Sequence, residues 1–327
     1  MTKTHLILDT SNILYRSFFA KLQEDEDISL GLALHSAFFS INRYYRKYKA
    51  HDIVLAFDYP NSWRKIYTKQ SPDCVTHKIY KGTRRQKMTE KDKAKMAEFD
   101  THIQEFCDLL KTKSGVIVLQ EKYLEADDLI AGYIQKFPED KHILISADKD
   151  FMQLLNKGDV TLVEPNEDKE RNLDEWEGNP DLFIFEKCIR GDAGDNVQSS
   201  YPRLRKTKIV QAFTDPVARV NIMNNEFDVE ELGPDGQLVT HHYKTQELFE
   251  ENELLMDLTK QPDYIRELIF KSIDKSINNR GKFDYFHFLK FLGKHELNNI
   301  INDYEQFVPL LSGKGVYHKN TESLQTA

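Results

Sequence analysis

Apolar residues along the chain fall into short unbroken runs that stop at an acidic residue: Leu6-Ile-Leu-Asp9, Ile53-Val-Leu-Ala-Phe-Asp58 and His142-Ile-Leu-Ile-Ser-Ala-Asp148. Runs of this length, rich in aliphatic residues and followed by turn-prone or helical sequence, are what strands buried on both faces of a parallel sheet require. Residues 115–119 and 160–163 read as two further strands. Helical periodicity covers 31–48, 93–110 and, more briefly, 125–136. The alternation predicts an α/β fold with a mostly parallel central sheet flanked by helices. In such sheets ligands collect at the carboxyl ends of the strands, where Asp9, Asp58 and Asp148 would stand. Beyond about residue 186 strand signals thin out and a smaller, mostly helical region is expected. Residues 225–241, with Gly233-Pro-Asp-Gly236, read as a hairpin or loop insertion. The tail from 314 is polar and expected to fray. This divides the chain into residues 1–186 and 187–327.

With 327 residues the chain can bury a sizeable core unaided. Three cysteines without pairing or ligand spacing fit a reducing compartment. No apolar run is long enough for a signal core or a membrane span. A soluble, cytoplasmic monomer with no membrane partner is expected. The net charge of -8 speaks against a phosphate-binding surface until its distribution is considered. Residues 64–95 hold eleven basic side chains against three acidic ones, a local charge of +8. Interleaved Trp63, Tyr67 and Tyr80 suit the bases and phosphates of a single strand better than a merely solvated helix face would.

The remaining acidity is clustered. After Asp9 and Asp58 come Glu125-Ala-Asp127-Asp128, Asp148-Lys-Asp150 and Asp192-Ala-Gly-Asp195. Glu125 and Asp128 share a face on a helix, and Asp148 and Asp150 share one if extended. One such acid alone is more often a helix cap or turn former. Together they form a charge density that is tenable only with bound protons or cations. Magnesium, a hard ion that prefers oxygen ligands, is the natural occupant, and pairs of such ions are a recurring device for phosphodiester hydrolysis.

Six motifs in order resemble the 5'-nuclease superfamily, which comprises flap endonucleases, the 5'-nuclease domain of bacterial DNA polymerase I and phage RNase H enzymes. They are Leu8-Asp9-Thr-Ser-Asn-Ile-Leu-Tyr15-Arg16, Ala56-Phe-Asp58, Tyr80-Lys81-Gly-Thr-Arg84-Arg85, Glu125-Ala-Asp127-Asp128, Ser146-Ala-Asp148-Lys-Asp150 and Gly191-Asp192-Ala-Gly-Asp195-Asn196. Size, the helical second half and the segment from Arg280 bring the phage RNase H branch nearest. The resemblance implies a PIN-like sheet, a helical arch at about 61–100 and a duplex-binding C-terminal region. It implies two magnesium ions, replaceable by manganese, with Asp9, Asp58, Glu125, Asp127 and Asp148 as a first group of ligands. Asp150, Asp192 and Asp195 form a second, and Asp128 acts less directly. By the same resemblance Lys81 and Arg84 are the catalytic arch cations that steer and neutralise the scissile phosphate. Arg16, Arg64, Tyr80, Arg85 and Lys87 contact nucleic acid. After Asn196 the glycine-rich potassium-binding turn of many relatives is missing, so Arg203, Arg205, Lys206 and Lys208 are expected to hold duplex phosphates as simple cations.

The implied activity is 5'-3' exonuclease and flap endonuclease cleavage of DNA and RNA:DNA with 5' ends, flaps or forks. It would remove RNA primers during phage replication in the host cytoplasm. A single-strand-binding protein or sliding clamp is the implied protein partner. A non-catalytic nucleic-acid-binding relative is the main alternative. A magnesium phosphatase is disfavoured because Ser11 stands where a second Asp is needed, and nucleotide-binding glycine motifs are absent.

Overall fold

A computed structural model of the chain describes residues 2–24, 30–84, 86, 88–232 and 237–313. Six strands form one sheet in the order β3-β2-β1-β4-β5-β6. These are β1 (Thr4–Asp9), β2 (Asp52–Ala56), β3 (Ile117–Leu119), β4 (Lys141–Ile145), β5 (Asp159–Glu164) and β6 (Lys169–Glu170). All neighbours run parallel except β5 and β6. Leu6 and Leu8 turn to one face with Ile53, Leu55, Ile143 and Ile145. By alternation Ile7 and Val54 turn to the other, where α5 (Ala126–Lys136) packs on β1 and β2. Both faces are dry, which is why the strands read as continuous apolar runs.

The first face is covered by α1 (Thr10–Glu24), α2 (Leu30–Tyr48), α4 (Glu90–Lys113) and, from the far end of the chain, α11 (Tyr285–Lys294). The helix predicted at 93–110 extends three residues further at each end, and Thr89 and Asp92 cap its start reciprocally. The helix α1 went unpredicted, although Asp9 starts it by accepting the Asn12 N–H at 3.1 Å.

Two compact units result, and they interleave along the chain. One is residues 1–60, 89–172 and 266–327; the other is 61–88 and 173–265. A cut at residue 186 does not follow this packing: Phe288, Phe291 and Phe307 lie in the same core as Leu6 and Phe106. The second unit contains α3 (Trp63–Gln70), α6 (Pro180–Arg190), α7 (Lys206–Thr214), α8 (Pro216–Met223), α9 (Thr245–Met256) and the hairpin β7 (Glu226–Leu232) and β8 (Leu238–Lys244). The hairpin was expected; its tip, 233–236, and the tail from 314 lie outside the described residues. The helix α10 (Asp263–Asn278) completes the order before α11. No helix among the described residues is long and apolar enough to cross a membrane.

Candidate active site

Strand register builds the site. Asp9, the last residue of β1, pairs with Ala56, so Asp58 lies two residues beyond its level. Leu8 pairs with Ile145 on the other side, which sets Ser146 beside Asp9 and Asp148 two residues beyond. Hydrogen bonds lock this edge. Ser146 Oγ donates to Asp9 Oδ2 at 2.9 Å and accepts the Asp148 N–H at 3.0 Å. Asp148 Oδ1 accepts the Asp150 N–H at 2.9 Å and starts a 3-10 turn, Lys149–Leu154. Asp148 is therefore the cap of a turn that contains Asp150, and the two are not neighbours on a strand. Asn12 Oδ1 receives the Ala147 N–H at 3.4 Å.

On the β2 side, Ser11 Oγ accepts the Asp58 N–H at 2.8 Å, and Asp58 Oδ1 accepts the Ala126 N–H at 2.8 Å. The start of α5 is thereby tied to the strand end. Asp127 Oδ1 accepts the Asp128 N–H at 2.7 Å, and Asp128 Oδ2 the Glu125 N–H at 3.3 Å. Asp128 is fully buried and Glu125 nearly so, whereas Asp127 is half-exposed and Asp58 exposed. From inside the fold the Asp128 carboxylate caps α5, which fits the less direct role expected of it.

Asp9 is 7% exposed. Burial, the neighbouring Asp58 charge and, more weakly, Asp148 push its carboxyl up to about 7, against the pull of the Asn12 N–H and the Ser146 hydroxyl. Such a group is relieved by a proton or a cation. The donor set around it is all oxygen, the chemistry magnesium selects. The fit lies in charge and donor type rather than in a finished chelate: among the described residues no three acidic, His or Cys side chains are gathered so as to hold an ion. Their oxygens are engaged with backbone N–H groups instead.

The second unit has its own polar centre. Tyr80 OH donates to Asp195 Oδ2 at 2.9 Å, Lys81 Nζ lies 3.8 Å from the same oxygen, and Arg84 pairs with Oδ1. The Lys81 N–H donates to the Asp195 carbonyl at 2.7 Å, with Lys81 itself in the left-handed region at φ 55°. Burial raises the Asp195 carboxyl, but the Lys81 and Arg84 charges and the Tyr80 hydroxyl outweigh it and hold the group below its usual range. Asp192 Oδ1 accepts the Gly194 and Asp195 N–H groups, and Oδ2 is 3.1 Å from Lys187 Nζ. The pair thus sits in a tight turn closed by Asp192 and Val197 rather than on a helix face.

A family model described as the 5'-3' exonuclease N-terminal resolvase-like domain matches residues 4–179. The chain belongs to the 5'-3' exonuclease family. Ribonuclease H of Enterobacteria phage T4 is 26% identical to it over 91% of this chain and 95% of its own length. A 5'-3' exonuclease of Aquifex aeolicus is 28% identical over 60% and 64% respectively. Among solved structures, the bacteriophage T5 D15 protein crystallised with metal ions covers 85% of this chain and 99% of its own, at 20% identity and a TM-score of 0.60. The T5 D15 flap endonuclease with DNA and metal ions covers the same shares at 18% identity and a TM-score of 0.59. The PIN-like, mostly parallel sheet is the shared fold.

Within this 5'-3' exonuclease framework several expected nucleic-acid contacts are displaced. Arg64 is 0% exposed. Its Nε donates to the Leu255 carbonyl at 2.7 Å and its guanidinium lies 4.7 Å from the Trp63 ring. Tyr80 is likewise buried beside it. Both are taken up in the packing of the second unit, so the 64–95 run includes a cation that this unit folds around. Arg16 is half-buried, with Nη1 3.4 Å from Glu164 Oε1. Arg203, Arg205, Lys206 and Lys208 are exposed at and before the start of α7. Arg85 and Lys87 lie outside the described residues. The sequence reading passed over Ser11, Asn12 and Ser146, which orient the acids, and Glu251. The Glu251 carboxylate accepts the Val75 and Thr76 N–H groups and the Tyr67 hydroxyl and so pins the loop leading to Lys81.

Proposed function

We propose that this chain hydrolyses phosphodiester bonds at the 5' ends of DNA and RNA:DNA duplexes, as an exonuclease and flap endonuclease. By analogy with its phage relative it would remove RNA primers from lagging-strand fragments in the host cytoplasm. The observation that carries the reading is Asp9: a buried carboxyl at a strand end, raised to about 7 and flanked by Asp58 and Asp148. A structural cap has no need of that electrostatic cost.

Asp9, Asp58, Glu125, Asp127, Asp148 and Asp150 are the residues that would hold magnesium, with manganese able to substitute, and we propose two ions in all. Bound there, the ions supply an ionised attacking water and neutralise charge at the leaving oxygen. The chain does the rest. Ser146 and Asn12 hold the Asp148 turn against Asp9, so that its carboxylates are aimed before substrate arrives. Lys81 and Arg84 bind the scissile phosphate and offset its developing charge, exchanging Asp195 for a phosphate oxygen. Asp195 and Asp192 serve this exchange first, and any part in the second ion site is secondary. The cations at 203–208 hold duplex backbone without reading sequence.

The test is cleavage of a 5'-labelled forked flap and of a nicked RNA:DNA duplex, with magnesium and with EDTA. Metal-dependent release of short 5' products is expected. Asp127→Asn and Asp150→Asn should abolish cleavage while sparing binding; near-full turnover in either defeats the assignment. The carboxylates' engagement with backbone N–H groups favours one second reading, a scaffold that binds such ends without cutting. Tight binding with no cleavage in any divalent metal would establish it.

A further inference from the structure

The turn that carries Asp148 has an arginine against it that no motif singles out. The chain leaves β5 at Glu164, reverses, and returns along β6 to Arg171, whose N–H donates to the Leu162 carbonyl at 2.9 Å. Arg171 Nη2 reaches the Ala147 carbonyl at 3.3 Å, one residue before Asp148. Among the described residues its Nε is buried without a hydrogen-bond partner. A buried N–H left unpaired costs about 1–3 kcal/mol, and more on a charged group, so such atoms usually mark a missing acceptor.

Glu164 pairs with Arg16 and lies within reach of the Arg171 charge. One of its oxygens lies 3.4 Å from Arg16 Nη1, and the other accepts the Asn166 and Glu167 N–H groups at 3.0 and 2.8 Å. Burial pushes its carboxyl up, but those N–H groups and the charges of Arg16 and Arg171 bring it below its ordinary value. It is a fixed anion with more cation around it than it can neutralise. The Glu164 charge is taken up by its pair with Arg16, so the Arg171 guanidinium keeps its own positive charge beside the Asp148 turn, in the planar geometry that phosphate oxygens match.

We propose that Arg171, held on the Ala147 carbonyl and near the Arg16–Glu164 pair, is a phosphate seat beside the Asp148 turn. Arg171 binds a phosphate of the nucleic-acid strand, and Glu164 is a positioning residue that ties down Arg16 and steadies the Arg171 guanidinium by its charge. The inference rests on the nuclease reading only for the origin of the phosphate.

Binding of a fluorescent oligonucleotide in EDTA, titrated across salt concentrations, tests this without catalysis. One lost phosphate contact lowers the slope of log affinity against log salt by roughly 0.7–0.9. R171Q should show that loss and a several-fold weaker Kd, while R171K, which keeps charge but not the fork, should keep the slope and lose only affinity. E164Q, which removes the anion, should bind no more weakly than wild type yet show a lower kcat. Equal slope loss with 5'-hydroxyl and 5'-phosphorylated strands assigns the seat to an internal diester; loss with the phosphorylated strand alone assigns it to the terminal monoester. An unchanged slope in R171Q, with or without a lower Tm, means that Arg171 merely clamps the turn and overturns the proposal. A wild-type protein that binds no strand at all defeats the nuclease reading instead.

Discussion

Asp9 has the most to lose by being where it is. Its folded-state pKa is raised, so the folded protein takes up a proton that the unfolded chain, near 3.8, has already released. The contribution of this group to metal-free stability is therefore expected to be greatest below about pH 4 and to fall as pH rises toward about 7, by at most roughly 4 kcal/mol. Urea unfolding in EDTA at pH 5 and pH 8 should show this fall in wild type and much less of it in Asp9→Asn. Magnesium should restore wild type more at pH 8 than at pH 5, since the proton no longer competes. Identical pH slopes in the two proteins would remove Asp9 from the account. Asp128 should behave differently: Asp128→Ala is expected to cost on the order of 1–2 kcal/mol of stability through the lost cap. Asp9, Asp58 and Asp148 were legible because an acid ending an apolar run is visible in sequence. Ser11, Asn12 and Ser146 were not, since a hydroxyl or amide that orients a carboxylate has no pattern of its own. Arg64 misled for a related reason: a charge count cannot tell a cation facing solvent from one folded under Trp63.

Elements were legible where their periodicity was one-sided or absent on both sides. The helix α5 is legible from its helical periodicity, and its central run, Leu129 to Ile134, is buried throughout because it is covered on more than one flank. One flank lies on β1 and β2, and on another Gly132 meets α10 so closely that an added Cβ would stand 2.2 Å from Ile269 Cγ2. Gly132→Ala should therefore destabilise by about 1–3 kcal/mol despite its better helix propensity. The double variant with Ile269→Val or Ala should recover part of the loss in thermal unfolding; failure to recover any would place the strain elsewhere. Arg64→Ala should be costly as well, by about 2–4 kcal/mol. It empties a buried volume and leaves the Leu255 carbonyl without its donor. Exposed Arg203→Ala should leave Tm almost unmoved. Hidden elements had local causes: α1 begins on Asp9 itself, so the residue read as a ligand also masked a helix start.

The whole molecule was the least legible scale. Composition along the chain shifts near residue 186, and that shift is real, but membership of a core follows contacts that composition does not record. Phe288, Phe291 and Phe307 are core residues, with their partners Phe38 and Phe106 some 180 residues or more away in sequence. Phe286, on the same helix as Phe288, is 76% exposed. Within a protein of this kind, Phe291→Ala is expected to unfold the sheet unit more readily, by about 3–5 kcal/mol, although it lies far along the chain from every proposed ligand.

The return of residues 266–313 to a core begun by residue 6 also sets a timetable. On the ribosome the sheet strands are all synthesised by residue 170, yet the face formed by α2 and α4 has no cover until α11 emerges more than a hundred residues later. At ordinary elongation rates that interval lasts from several seconds to about twenty. A nascent chain would spend it with Phe38, Phe106 and Leu110 bare, so the acids at the strand ends would not be held firmly in register until α11 has emerged. Messenger cleavage or premature termination before this point would release a fragment that holds every proposed ligand yet has no finished core, one suited to degradation rather than to unregulated cutting.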